Sequence, residues 1–156
     1  MKKLFVIFIS FLGSMTAQAQ NNDWSQLLKS YLDIEDALVA SNLNDAKSAM
    51  AKMQQEALQL LPKTTGNVPQ KELKFLAARL EVYGKSESIE DVRAGFEKIS
   101  NSMILLAEQK VFGSETLYVV YCPMKKANWL DDTNTVKNPY YGKTMLTCGS
   151  VKKTIN

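Results

Sequence analysis

The sequence contains no histidine, only two cysteines and, beyond residue 12, no apolar run near the ~20 residues needed to span a bilayer. Each absence narrows the function. Without an imidazole, neither Ser-His-Asp nor Cys-His catalysis can be built, and the His-based zinc sites are excluded. Two cysteines cannot make a disulfide-dense scaffold. Nor is there an excess of one charge: 19 basic and 16 acidic side chains leave a net charge of +3. That balance carries no electrostatic argument for nucleic acid or an anionic membrane as partner. The chain also lacks a calcium-loop spacing, a phosphate-binding glycine loop and a paired-carboxylate motif. The acidic residues Asp33, Glu35, Asp36, Glu90 and Asp91 fall where solvated helix faces and caps account for them. No enzyme is expected.

What is present begins with a leader. Lys2 and Lys3 precede an apolar stretch from Leu4 to Leu12, and Ala17-Gln18-Ala19 forms a small-x-small cleavage site. Residues 1–19 therefore read as a cleaved signal peptide, and 20–156 as a single periplasmic or secreted domain that does not insert in the membrane. No cysteine follows the cleavage site to take a lipid anchor. With Lys2 and Lys3 removed, 17 basic and 16 acidic side chains leave a mature charge of +1.

Residues from about 24 to 111 have helical periodicity. Trp24, Leu27, Leu28, Tyr31, Leu32, Leu38 and Val39 recur at steps near 3 and 4, with Asp23 as candidate N-cap. Ser41-Asn42 interrupts the pattern. A second stripe of Ala46, Ala49, Met50, Met53, Ala57, Leu60 and Leu61 stops at Pro62. Pro69 suits the first turn of a third helix, with Leu73, Leu76, Ala77, Leu80 and Tyr83 inward and Gly84 as its stop. Ser86 or Ser88 can cap a fourth helix carrying Val92, Phe96, Ile99, Met103 and Leu106, closed by Gly113. Met50, Met53 and Met103 lie on these stripes and read as core. The pattern predicts a mainly α fold, an antiparallel four-helix bundle, with a small C-terminal β-hairpin or irregular extension over 114–156. Within it, residues 116–121 suit a strand, a polar segment runs from Lys125 to Tyr141, and Thr144 to Ile155 suits a second strand beside the first.

The extension holds the residues with distinctive chemistry: Cys122-Pro123-Met124 and Met145-Leu146-Thr147-Cys148-Gly149. Two thiols and two thioethers form a donor set suited to Cu(I) or Ag(I). An extended 122–124 puts Cys122 and Met124 on one face, whereas Met145 and Cys148 need a turn to meet. The competing reading is a Cys122–Cys148 disulfide, common for two cysteines in an exported chain and worth about 3 kcal/mol, with the methionines as packing residues. A site that is bridged when oxidised and metal-binding when reduced is compatible with both. Trp129, Tyr140 and Tyr141 read either as an aromatic shield or partner surface, or as a satellite core under the long loop. Asn138-Pro139-Tyr140-Tyr141-Gly142 has the chemistry of a tight turn delivering Met145 and Cys148. Lys125, Lys126 and Lys143 can offset the charge of two thiolates.

These motifs, together with Tyr31-Leu32-x-Ile34-x-Asp36-Ala37-Leu38-Val39-Ala40-Ser41, Tyr121 before Cys122 and Trp129-Leu130, resemble an uncharacterised bacterial domain family. The family is typical of exported Bacteroidetes proteins and is also found fused to periplasmic adaptors of copper/silver efflux systems. The resemblance implies heavy-metal handling, with an efflux adaptor or another envelope protein as partner. Cys-Pro-Met also resembles short metal-binding segments of such adaptors. Here Lys125 stands where those segments place His, and Cys148-Gly149-Ser150 where they continue Cys-Gly-Met.

Overall fold

The structure is a computed structural model and describes residues 13–156, with side chains from Asp23 onward. Most of the leader expected over 1–19 lies outside the described residues. Four helices follow one another: α1 Gly13–Ala40, α2 Leu43–Leu60, α3 Asn67–Gly84 and α4 Ile89–Glu108. Three strands complete the chain: β1 Leu117–Cys122, β2 Ala127–Asp131 and β3 Ser150–Ile155. No helix among the described residues is long and apolar enough to cross a membrane.

The helix boundaries follow local chemistry. Ser41 enters the left-handed region (φ 59°) to end α1, and the Asn42 side chain caps α2 by accepting the Asp45 N–H at 3.2 Å. Pro62 sits in a 3-10 turn, Leu61–Lys63, that closes α2. Of the two candidate serines, Ser88 caps α4, its Oγ accepting the Asp91 N–H at 3.1 Å. Two expectations are corrected. Asp23 lies inside α1, since no breaker precedes it from Gly13 onward; its carboxylate pairs instead with Lys63 at 2.7 Å. And α4 stops at Glu108, where Lys110 takes a positive φ of 56°, before Gly113 is reached.

The predicted stripes form the core. Val92, Phe96, Ile99, Met103 and Leu106 are fully buried, as are Met50 and Met53, and Leu73, Leu76, Ala77 and Leu80 face inward from α3. Consecutive helices pack α1 on α2, α2 on α3 and α3 on α4. The sheet lies against the remaining side, with β2 on α4.

Sheet order is β2-β1-β3, antiparallel throughout. The strand at 116–121 is β1, and the second expected strand is β3, which begins only at Ser150 because Gly142–Thr144 forms a 3-10 turn. The polar segment supplies the additional strand β2. A turn at 123–126, with Lys126 at φ 58° and its N–H on the Cys122 carbonyl at 2.8 Å, folds the chain so that Cys122 opposes Ala127. Inward residues Ala127, Trp129 and Leu130 stabilise β2 by burial despite its polar neighbours.

Candidate functional site

Cys122 is the last residue of β1, and Cys148 lies two residues before β3. Antiparallel pairing of these strands sets Tyr121 opposite Ser150, which brings the cysteines to the same end of the sheet. Their sulfurs are 4.0 Å apart and both thiols are free, Cys122 fully buried and Cys148 half-buried. A disulfide bond is about 2.05 Å long. With a metal–thiolate bond of about 2.3 Å, two thiolates on one ion stand ~3.8 Å apart in tetrahedral, ~4.0 Å in trigonal and ~4.6 Å in linear coordination.

Three N–H groups converge on the sulfurs. The Lys125 backbone N–H donates to Cys122 Sγ at 3.4 Å, the Asn138 side-chain amide donates to it at 3.1 Å, and the Met124 backbone N–H is directed at Cys148 Sγ. On Cys148 the Met124 donor favours the thiolate but is outweighed: lost solvation first, then the hydrogen bond and charge of Cys122, push its thiol above the ordinary value. Two negative sulfurs this close repel one another, and a shared cation removes that repulsion.

Met124 and Met145 are exposed, at 60% and 39%. Their backbones are part of the site: the Met145 carbonyl accepts the Cys148 N–H at 3.0 Å, and Met124 supplies the N–H on Cys148. The fold thus gathers the four sulfur-bearing residues, with the thiols inside and the thioether side chains at the surface. Among the described residues, no three or more His, Cys, Asp or Glu side chains are grouped to hold a metal ion. Any ligand beyond the two thiolates would have to come from elsewhere, and the thioethers are the nearest candidates by sequence.

The aromatic residues resolve differently from either sequence reading. Trp129 and Tyr140 are buried in the main core. Tyr31 stacks on Phe96 (5.4 Å between ring centroids), Phe96 meets Tyr140 edge-on (5.9 Å), and Tyr140 meets Trp129 edge-on (6.0 Å). This row joins α1 and α4 to the sheet. Trp129 and Tyr140 thus form neither a shield nor a satellite cluster, because the loop from 132 to 149 folds onto the bundle, while Tyr141 stays half-buried at its surface.

The residue that organises that loop is Asn138. It is fully buried. Its amide nitrogen reaches both Cys122 Sγ and the Cys148 carbonyl, its oxygen accepts the N–H groups of Tyr140 (2.8 Å) and Tyr141 (3.2 Å), and its own N–H meets the Leu146 carbonyl at 2.7 Å. In sequence it reads only as part of a turn; an Asn before Pro between two cysteine clusters is the available signal. Arg93 secures the same loop from α4, donating to the Leu38 carbonyl (2.8 Å), Ser41 Oγ (2.8 Å) and the Pro139 carbonyl (3.1 Å). Gly142, at φ 53°, makes room: a Cβ there would stand 2.5 Å from the guanidinium.

A second polar group lies between α1 and β2. Glu35 is buried against Asp131, and burial first, then that neighbouring carboxylate, raises its pKa well above the ordinary carboxyl range. Asp131 Oδ1 accepts the Thr133 N–H and hydroxyl at 2.8 and 3.1 Å, which fixes the Asp131 side chain beside Glu35. The helical periodicity placed Glu35 on a solvated face; Asp131 at the end of β2 and the loop that follows close over it.

No curated protein and no solved structure matches the chain. A family profile described as "Protein of unknown function (DUF3347)" matches residues 27–114. That segment spans α1 from Leu27 to the end of α4 and stops before β1, leaving all four sulfur-bearing residues of the site beyond it. The resemblance seen in the helical and tail motifs is thus matched over the helices. By that match, which covers more than half of its length, the chain belongs to the DUF3347 family of proteins of unknown function.

Proposed function

We propose that this is an exported protein that handles soft metal ions, holding Cu(I) or Ag(I) between Cys122 and Cys148 with Met124 and Met145 as weaker thioether ligands. The observation that carries this reading is the pair of unbonded sulfurs 4.0 Å apart with N–H donors converging on them. That spacing suits two thiolates on one ion, and soft sulfur selects soft monovalent ions. Lys125, whose N–H touches Cys122, and the exposed Lys126 and Lys143 offset the remaining negative charge. The half-buried Cys148 with exposed methionines around it suits stepwise ligand exchange. An efflux adaptor, implied by the resemblance to adaptor-fused bacterial domains, is the proposed acceptor.

Reduced protein is expected to compete for one equivalent of Cu(I) against a chelator of micromolar affinity. Cys148→Ser abolishes the competition. The pair Met124→Leu and Met145→Leu weakens it several-fold without unfolding the bundle, since Leu conserves size and removes sulfur. Failure of the reduced wild-type protein to compete ends this reading.

A structural disulfide is the second reading, favoured by Asn138, which already ties the Cys122 sulfur to the Cys148 backbone. Alkylation mass spectrometry with thiols trapped before lysis separates the two. Cysteines that are fully bridged and remain so with added copper support the disulfide; cysteines that are free, or protected only by Cu(I), support the metal site.

A further inference from the structure

We infer that the surface around Cys148 is a docking face for an acidic protein segment that carries its own sulfur ligand, the donor or acceptor of the ion. The ion-transfer part of this inference rests on the function proposed above; the docking part does not. Of the large hydrophobic side chains exposed among the described residues, Leu58, Val68, Val82 and Leu105 are scattered over three helices. The other four, Met124, Met145, Leu146 and Val151, all lie within three residues of Cys122 or Cys148. Backbone contacts draw them together: Met124 and Met145 each bond Cys148, and Val151 pairs with Val120 beside Tyr121. An apolar patch on a polar surface marks an interaction site.

Charge indicates what covers it. Residues 116–130 contain Lys125 and Lys126 and no acid, and residues 133–156 contain Lys137, Lys143, Lys152 and Lys153 and no acid. The acids between them do not neutralise the patch, because Asp131 is buried against Glu35 and Asp132 borders the same cleft on the α1 side. Lys153 pairs with Glu108 and Lys152 lies over the Tyr121 ring, whereas Lys125, Lys126 and Lys143 form no ion pair among the described residues. A cleft of about 320 Å³ beside the patch is lined by Lys125, Arg93, Tyr140, Tyr141, Thr144 and one acid, Glu90. An apolar, sulfur-bearing centre with a cationic rim complements an acidic segment carrying methionine or cysteine. Complementary charge at a rim sets encounter rate and orientation, while the soft ligands exchange the ion at the centre. A lipid surface would use the same lysines but offers no ligand to the ion.

The test uses two synthetic heptapeptides, each with two methionines, one otherwise acidic and the other with every acid replaced by lysine. They are titrated against the reduced protein by NMR at low salt, without metal. The acidic peptide should bind at least about tenfold tighter, with shifts confined to residues 122–126 and 143–152, and the preference should collapse in high salt. The triple variant K126E, K143E and K152E, changed only at exposed positions, should reverse the preference. Equal binding of both peptides, shifts mapping elsewhere, or binding to phosphatidylglycerol vesicles without recognition of the acidic peptide would overturn the docking face. Silver uptake by the same samples is scored separately. Peptide selectivity without Ag(I) binding retains the face and removes the metal reading; Ag(I) binding without selectivity does the reverse.

Discussion

The side-chain amide of Asn138 donates to the sulfur of Cys122 at 3.1 Å, and through the same nitrogen reaches the carbonyl of Cys148. One buried side chain thereby holds both halves of the dithiol and, through its oxygen, the turn at Tyr140 and Tyr141. Asn138→Ala leaves these buried N–H groups and the Cys148 carbonyl unpaired, each costing about 1–3 kcal/mol. Urea denaturation of the reduced protein should show a loss of about 3 kcal/mol. Asn138→Asp should be no better, since it retains the acceptor but sets a carboxylate against a sulfur and a carbonyl. A stability equal to wild type would mean that the loop is held by Arg93 alone.

Glu35 makes stability depend on pH in the direction opposite to most carboxylates. Its pKa in the folded state is raised, by burial and then by Asp131, with Asp36 and Asp132 adding to the shift. The native state therefore keeps a proton that the unfolded chain releases near pH ~4.3. This contribution to stability is full below that pH and is lost as pH rises through the folded value. Lys137 is the one cation among the residues lining the cleft. Glu35→Gln keeps a donor toward Asp131 and removes the titration. Its denaturation midpoint should fall less with pH than that of wild type, and a parallel pair of curves would contradict the assignment.

Tyr31 links the bundle to the sheet. Its hydroxyl accepts the Leu130 N–H at 3.0 Å and lies 2.9 Å from Ser100 Oγ. Leu130 is on an edge strand, so no neighbouring strand receives that N–H. Tyr31→Phe preserves the ring stack on Phe96 but leaves the amide unpaired, at a cost of about 1–3 kcal/mol. Hydrogen exchange should accelerate at Leu130 more than at amides in the centre of α4.

Gly149 couples the site to the core. A Cβ there would stand 2.7 Å from Trp129 Cη2 and 3.1 Å from Val136 Cγ1. The indole is fully buried and has no room to yield, so Gly149→Ala should cost about 1–3 kcal/mol through overpacking. The displaced segment includes Cys148, so Cu(I) affinity should fall further than in the Met124→Leu and Met145→Leu pair. Wild-type affinity in the alanine variant would show that the sulfur site tolerates movement of this turn.

The helical part was legible in the sequence because its information is local. Stripes at steps of three and four residues, the Ser41-Asn42 interruption, Ser86 or Ser88 as a cap and Pro62 as a stop mark out α2, α3 and α4, and the buried faces follow from them; that Asn42 caps α2 and Ser88 caps α4 is seen in the structure. Composition alone also removed imidazole chemistry, and the paired Cys/Met clusters marked where soft-donor chemistry lies. Tertiary structure decided the rest. Strand β2 has polar residues and a weak alternation, and it exists because the turn after Cys122 lays the strand beside β1 and against α4, with Trp129 and Leu130 buried. Antiparallel pairing of β1 with β3 sets the sulfurs 4.0 Å apart across 26 residues of sequence. Glu35 loses its water only when Asp131 and the loop after β2 close over it, and Asn138 becomes a hub only when two loops close around it. These contacts join residues remote in the chain, and neither helical period nor strand alternation records which face another element will cover.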